Sequence, residues 1–503
     1  MLLNLIINPL LNNLIKSKIL NELRTDSYSE ASIDELNYSI ITNQIELNNF
    51  IYTSADSSET NSLFIKAKSA VAGMNVLDYL LKGEYNFSSI NIKGLEIKRF
   101  SENHSSNKDG KKNFSFSGIK GIHADEITIE NGIYIHKHLS SNLNDSIKNF
   151  SISVKDLVID SSSNVNGILS SSANTELNAE YIQIYFTDIL YKLSLNDLKI
   201  SSNQMEASAK EVSLRPYLND ADFFAGKRFR ADRFITGVKA FHCEEIDINK
   251  LLADKIFSVG KITLDGFLFD ALTNMRFPEN LYAAPPVMPN EAVNSLPFFL
   301  NIKKADLLNG KIYVKELYPY AENPAVLLFQ NVNANASNIV TGETAQINIG
   351  ALLMGKGKLD VIFNIDLNPE EFKFSYNGTL DSMNAVELNS FIKIANRVEV
   401  SSGQIHHIDY NVTAQSDSAY AESTPVYSGL KIKNLNEETG SSSGIAELVS
   451  SAIANIFVIK GDNGIGEKPE SSGILYVKKN DDAFMEYVWI SLRKSLGKIV
   501  GFN

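Results

Sequence analysis

Two-residue alternation of apolar and polar positions dominates residues 26–434. Runs such as Ile90-Asn-Ile, Ile152-Ser-Val, Ile312-Tyr-Val and Phe372-Lys-Phe send every second side chain to one side, the period of a half-buried strand. Helical spacing within this span is confined to short stretches at 76–81, 246–252 and 383–398. The pattern predicts a mainly β fold. We expect an elongated, curved antiparallel sheet forming an apolar groove, with short flanking helices and terminal amphipathic helices.

Four segments share one form, in which apolar alternation meets a polar–glycine step and then resumes: INIKGLEI (90–97), ITIENGIYI (127–135), ITLDGFLF (262–269) and ADLLNGKIYV (305–314). Such steps between alternating hydrophobics predict β-hairpins. Two-residue loops at Lys93-Gly94, Asp265-Gly266 and Asn309-Gly310 would gather three apolar sets. The sets are Ile90, Ile92, Leu95 and Ile97; Ile262, Leu264, Phe267 and Phe269; and Ala305, Leu307, Ile312 and Val314. A three-residue loop at 130–132 would do the same for Ile127, Ile129, Ile133 and Ile135. An oily sheet face must be covered by another sheet, by helices, or by something that is not protein.

The ends of the chain read differently. In residues 1–25, Leu11, Ile15, Ile19 and Leu23 recur every fourth position after Pro9, with Leu14 and the stem of Lys18 beside them. This is an amphipathic helix, either packed on the core or forming the membrane-proximal end of an anchor. Seven of the 12 prolines lie at 278–324, which predicts a proline-rich linker at 273–296. The linker would separate a front sheet segment (26–272) from a rear one (297–435). Residues 101–118 are polar and read as an exposed loop.

A closing helix–strand–helix is expected at 436–503. Its first helix carries Ile445, Leu448, Ile453 and Phe457, and its second, 483–500, places Phe484, Val488, Trp489, Leu492, Leu496 and Val500 on one side. Trp489 with Arg493, Lys494 and Lys498 suits a membrane surface; capping of the sheet's open end is the other reading.

Composition removes several classes. The 503 residues carry a net charge of −12, with no basic stripe for a nucleic acid. The single cysteine, Cys243, excludes an intramolecular disulfide and a Cys-based metal site, and reads as a buried small hydrophobe. No phosphate loop, nucleophile elbow or His-Glu-x-x-His stands in the sequence.

His136 and His138 share one side of a strand, the spacing of a metal pair. Their parity with Tyr134, opposite to Ile133 and Ile135, assigns them to the polar face, with no third ligand at strand spacing. Adjacent His406 and His407 point to opposite faces. No catalytic residue, metal or cofactor is assigned, and we expect a protein that is not an enzyme.

The segment order resembles the AsmA-like family of Gram-negative envelope proteins. The likeness runs from Ile6 to Ile19, then through Tyr38-Ser-Ile, Ile45-Glu-Leu-Asn-Asn-Phe, SLRPYLNDADFF (213–224), AFHCEEIDINKLLADKIFSVGKITLDGFLFDAL (240–272), LPFFLNIKKADLLNGKIYVKEL (296–317), FSYNGTLDSMNAVELNSFI (374–392), VEVSSGQIHHIDYNV (398–412), FVIKGDN (457–463) and MEYVWISLRKSLGKIVG (485–501). It rests on segment order and pattern. The resemblance implies a β-groove related in architecture to TamB and to bridge-like lipid-transfer proteins. It also implies a role in lipid transport and outer-membrane biogenesis, with phospholipid acyl chains and a membrane surface as partners. The place implied is the periplasm, associated with the inner membrane, although the family's anchor helix is not matched by residues 1–25. A structural scaffold with a closed β core and no lipid is the competing expectation.

Overall fold

The computed structural model describes residues 2–24, 28–56, 61–74, 85–101, 121–160, 174–280, 282–435, 460–480 and 482–500. Strand makes up 62% of it and helix 15%, so the fold is mainly β, largely antiparallel, with short helices. In chain order the elements are α1 (Leu2–Leu23), β1 (Ser29–Ser39), β2 (Gln44–Ala55), β3 (Asn61–Met74), β4 (Tyr85–Ser101), β5 (Gly121–His138), β6 (Asn144–Asp160), β7 (Asn174–Phe186), β8 (Tyr191–Ser201) and β9 (Glu206–Pro216). There follow α2 (Asp220–Ala225), β10 (Asp232–Glu244), α3 (Ile248–Asp254), β11 (Ile256–Asp265), β12 (Leu268–Asn274), α4 (Pro289–Asn294), β13 (Phe299–Leu317), β14 (Ala325–Val340), β15 (Thr344–Leu353) and β16 (Gly357–Asp366). The remainder are β17 (Phe374–Asn384), a 3-10 turn (Ala385–Leu388), α5 (Asn389–Ala395), β18 (Val398–Ala414), β19 (Ser418–Asn434), β20 (Ser472–Val477) and α6 (Phe484–Val500). The expected helices at 76–81 and 445–457 and the loop at 102–118 lie outside the described residues.

The chain divides into two compact units: unit 1 is Met1–Ser213 with Phe241–Ser258, and unit 2 is Leu214–Ala240 with Val259–Asn503. The proline-rich stretch belongs to unit 2, where its helix α4 is docked. Met288 is buried, and Asn290 and Asn294 donate to the carbonyls of Asn368 and Leu367 at 3.0 and 2.9 Å.

The predicted hairpins are absent. β4, β5 and β13 each run unbroken through their polar–glycine step. At the fourth step β12 pairs antiparallel with β10 and parallel with β13, so both its edges are taken and none is left for β11. The reason lies in the backbone. A two-residue hairpin of the expected kind needs positive φ at both central residues. Here each step holds one such residue: Gly94 (φ 61°), Asn131 (54°), Gly266 (67°) and Asn309 (55°). One left-handed residue instead shifts the alternation by one place and lets the strand continue, with the same pairing register on both sides of the step.

In unit 1 such left-handed residues form a band across the sheet. β1 to β4 pair antiparallel, β4 and β5 parallel, and β5 to β8 antiparallel. Asn49 on β2, Gly94 on β4, Asn131 on β5, Asn149 on β6 and Asp197 on β8 all carry φ between 48° and 61°. Asparagine, aspartate and glycine are the residues that tolerate this conformation at least cost. The alternation changes phase at the band. On β1 the buried positions are Ala31 and Ile33 before it, then Leu36 and Tyr38 after it. The same face therefore stays apolar on both sides of the band.

At one end of unit 1, α1 lies over β1 and β2. Ile15 is buried against Ile33, Leu36, Tyr38 and Ile45, with Leu11, Ile19 and Leu20 beside it. This packed arrangement is the first of the two expectations for residues 1–25. No helix among the described residues is long and apolar enough to cross a membrane.

In unit 2, β12 and β13 are parallel and β13 to β20 follow as antiparallel neighbours, apart from the α5 excursion between β17 and β18. A charged cluster fastens its front. The buried Arg233 guanidinium meets Asp220 at 3.0 and 3.1 Å and Asp270 at 3.0 Å, and Lys315 reaches Asp270 at 2.6 Å. It joins α2, β10, β12 and β13.

Candidate functional site: an apolar face across unit 1

Register builds the face from single residues on successive strands. Leu36, Leu47, Ala70, Ile92, Ile129, Ile152, Leu177 and Ile200 stand in one line across β1 to β8. On the far side of the band a second line holds Ala31, Tyr52, Ile65, Ile97, Tyr134, Ile147, Ile182 and Leu195. With strands about 4.8 Å apart, each line extends roughly 34 Å. From β3 onward these large side chains are half-buried, neither shut in a core nor fully in water. Deeper packing is local, as where Ala124, Val154 and Leu157 close on Phe87 and Ile90.

The sequence-predicted residues fall as follows. Ile90, Ile92, Leu95 and Ile97 on β4 share this face, and Ile127 and Ile129 join them in register. Ile133 and Ile135 do not. The alternation changes phase at Asn131, which brings Gly132 onto the apolar face, where a Cβ would collide with the ring of Phe150. Ile133 and Ile135 turn to the opposite face, beside Lys148 and Ser146. In unit 2, Phe269 pairs with Ile312, which pairs with Phe329, and Val314 pairs with Leu327. Leu307 faces Ala334 across β14, while Ile262, Leu264 and Phe267 are half-buried on β11 and at its exit.

The corresponding line in the rear of unit 2 is Ala336, Ile347, Phe363, Tyr376, Val412, Ala421 and Ile474. It is closed by α6, which lies on β18, β19 and β20. Of the side expected from sequence, Phe484, Val488 and Leu492 pack on the core, whereas Trp489 does not. The helix's buried stripe is Tyr487, Ser491, Ser495 and Ile499, with Phe484, Val488 and Leu492 flanking it. The two serines let the helix sit close: Ser495 Oγ is 2.8 Å from Ser423 Oγ, and Tyr376 donates to the Val488 carbonyl at 2.7 Å. Trp489 is partly exposed, and Arg493, Lys494 and Lys498 all lie on the solvent side, Lys494 Nζ resting 4.5 Å above the Tyr476 ring.

Burial sets the electrostatics. Removal from water pushes the Tyr376 phenol up to about 12, and it raises Tyr410, Tyr476 and Tyr487 in the same core. Burial, then the charge of Glu244, pushes the Cys243 thiol up to about 11, consistent with an inert side chain that is 0% exposed.

His136 and His138 are a correction. The phase change at Asn131 puts them on the face of Ile127 and Ile129, where they are buried and meet Asp145 of β6. The sequence does hold the signal: Asn142, in left-handed conformation, turns the chain so that Asp145 falls opposite His136. No protein-family model matches the chain, and comparison with curated proteins returns no match.

Proposed function

We propose that this chain is a non-enzymatic lipid-handling protein of a Gram-negative cell envelope, holding or passing phospholipid acyl chains along the apolar face of unit 1. The observation carrying this reading is the pair of eight-strand apolar lines whose isoleucines and leucines stay half-exposed from β3 to β8. An acyl chain needs only continuous apolar surface, gaining about 0.8 kcal/mol per buried CH₂. No reacting group is required. The AsmA-like segment order supports the same reading, and with it a periplasmic place beside the inner membrane. Trp489 and the basic residues of α6 suit contact with a membrane surface.

One observation favours the second reading, a structural scaffold with a closed core: α6 closes the apolar line in the rear of unit 2. Purifying the full chain from a Gram-negative host without added lipid, followed by native mass spectrometry, separates the two. Bound phospholipid, lost in folded Ile92→Asp and Ile129→Asp chains, is the expected result. A stable, lipid-free wild-type chain would establish the scaffold instead.

A further inference from the structure

We propose that His136, His138 and Asp145 form a binding site for a divalent transition-metal ion, zinc foremost. The two histidines are two residues apart on β5 and share a face; Asp145 stands in register with His136 on β6. All three are buried, at 9%, 2% and 7% exposure, and their donor atoms lie within 4.8 Å of one another. Asp145 Oδ2 is 3.3 Å from His136 Nδ1 and 3.0 Å from His138 Nε2. Around a tetrahedral ion with bonds near 2.0–2.1 Å, ligand atoms sit about 3.3 Å apart. The two carboxylate–imidazole distances already have that spacing, and the two imidazoles' donor atoms lie within 4.8 Å of each other.

Two of the three ligands are also aimed by a second group. Ser101 Oγ lies 2.7 Å from His136 Nε2, and the Tyr185 N–H donates to Asp145 Oδ1 at 2.7 Å. In the tautomer that gives Nε2–H to Ser101, the His136 Nδ1 lone pair faces the carboxylate oxygen, and a cation between them would select this form. Such outer partners fix imidazole tautomer and carboxylate orientation at metal centres.

Two imidazoles and a carboxylate select the ion. They lack the thiolates that draw copper(I) and the all-oxygen shell of calcium or magnesium. Three protein ligands leave a fourth position for water or a further donor. Arg99, in register with His136 on β4, is exposed. Occupied, the site would clamp β5 to β6 at the polar end of the apolar face, where His136 and His138 continue the line of apolar positions.

The test uses the full chain stripped with chelator and titrated with ZnCl₂ by calorimetry, and separately with CoCl₂ by visible absorption. We expect one equivalent per chain, a raised Tm, and the intense visible bands of low-symmetry cobalt(II). Asp145→Asn and His138→Gln should abolish both signals, and Ser101→Ala should weaken binding roughly 10- to 100-fold. His407→Ala, at a half-buried histidine elsewhere, should leave them intact. A folded wild-type chain that binds neither ion overturns the proposal. So does binding that survives unchanged in His138→Gln and Ser101→Ala, which decides the matter even if Asp145→Asn does not fold.

Discussion

The front of unit 1 and the rear of unit 2 are built from the same kind of sheet and finished in opposite ways. Each carries an apolar line across at least seven strands, produced by register. Behind α6, Val412 and Ala421 are wholly buried, and aromatic rings of Phe363, Phe374 and Tyr376 stack 5.1–6.3 Å apart. On β4 and β5, Ile92 and Ile129 occupy equivalent places in their line and are only half-buried. An apolar sheet face therefore says little about function until its cover is known. Where the chain supplies a helix with small residues at 491 and 495, the face becomes a core. On β4 and β5 it stays half-buried, and it is there that the acyl chains are proposed to lie.

The largest test of this contrast is a pair of truncations. Tyr487→Ala removes a fully buried ring and its hydrogen bond to the Gln415 carbonyl, and should cost unit 2 about 3–5 kcal/mol. Ile92→Ala in unit 1 should cost about 1 kcal/mol, near half the value of full burial. Denaturant unfolding of each variant, followed by hydrogen exchange to assign the loss to its unit, measures both. Equal costs would erase the distinction.

A smaller effect comes from alkali. The folded pKa of Tyr376 lies above its ordinary 10, so between about pH 10 and 12 the folded state binds more protons than the unfolded state. Stability is then complete below pH 10 and falls as pH rises through 12, by on the order of 2 kcal/mol for this one group. Tyr410, Tyr476 and Tyr487 shift in the same direction, so the rear of unit 2 should open first on alkaline titration. Tyrosinate absorbance at 295 nm against hydrogen exchange in each unit reads the order.

Much of this was legible in the alternation itself. The mainly β class follows from the period of two, and three of the four polar–glycine segments keep their apolar residues on one face. The face survives although the hairpins do not, because a two-residue turn and a single left-handed residue both shift the alternation by one place. Sequence cannot distinguish them from Asn-Gly or Lys-Gly alone, since the difference is whether one residue or two adopt positive φ. At 130–132 the choice matters, and it carries Ile133 and Ile135 off the face and His136 and His138 onto it. Asp145 was missed because its partnership runs across a turn and not along a strand. The side of α6 was partly misjudged for a related reason. Hydrophobicity favours Trp489 and Leu496, whereas fit against an aromatic sheet favours Ser491 and Ser495.

The central claim is that lipid lies on unit 1 and not on the covered rear of unit 2. Photo-crosslinking of the full chain with a phospholipid bearing a diazirine in its acyl chain, followed by peptide mass spectrometry, tests it most directly. The account predicts adducts concentrated on β3 to β8, around Ile65, Ile92, Ile97 and Ile129, and diminished by Ile129→Asp. Adducts confined to the outer side of α6, or none above a headgroup-only control, would contradict it.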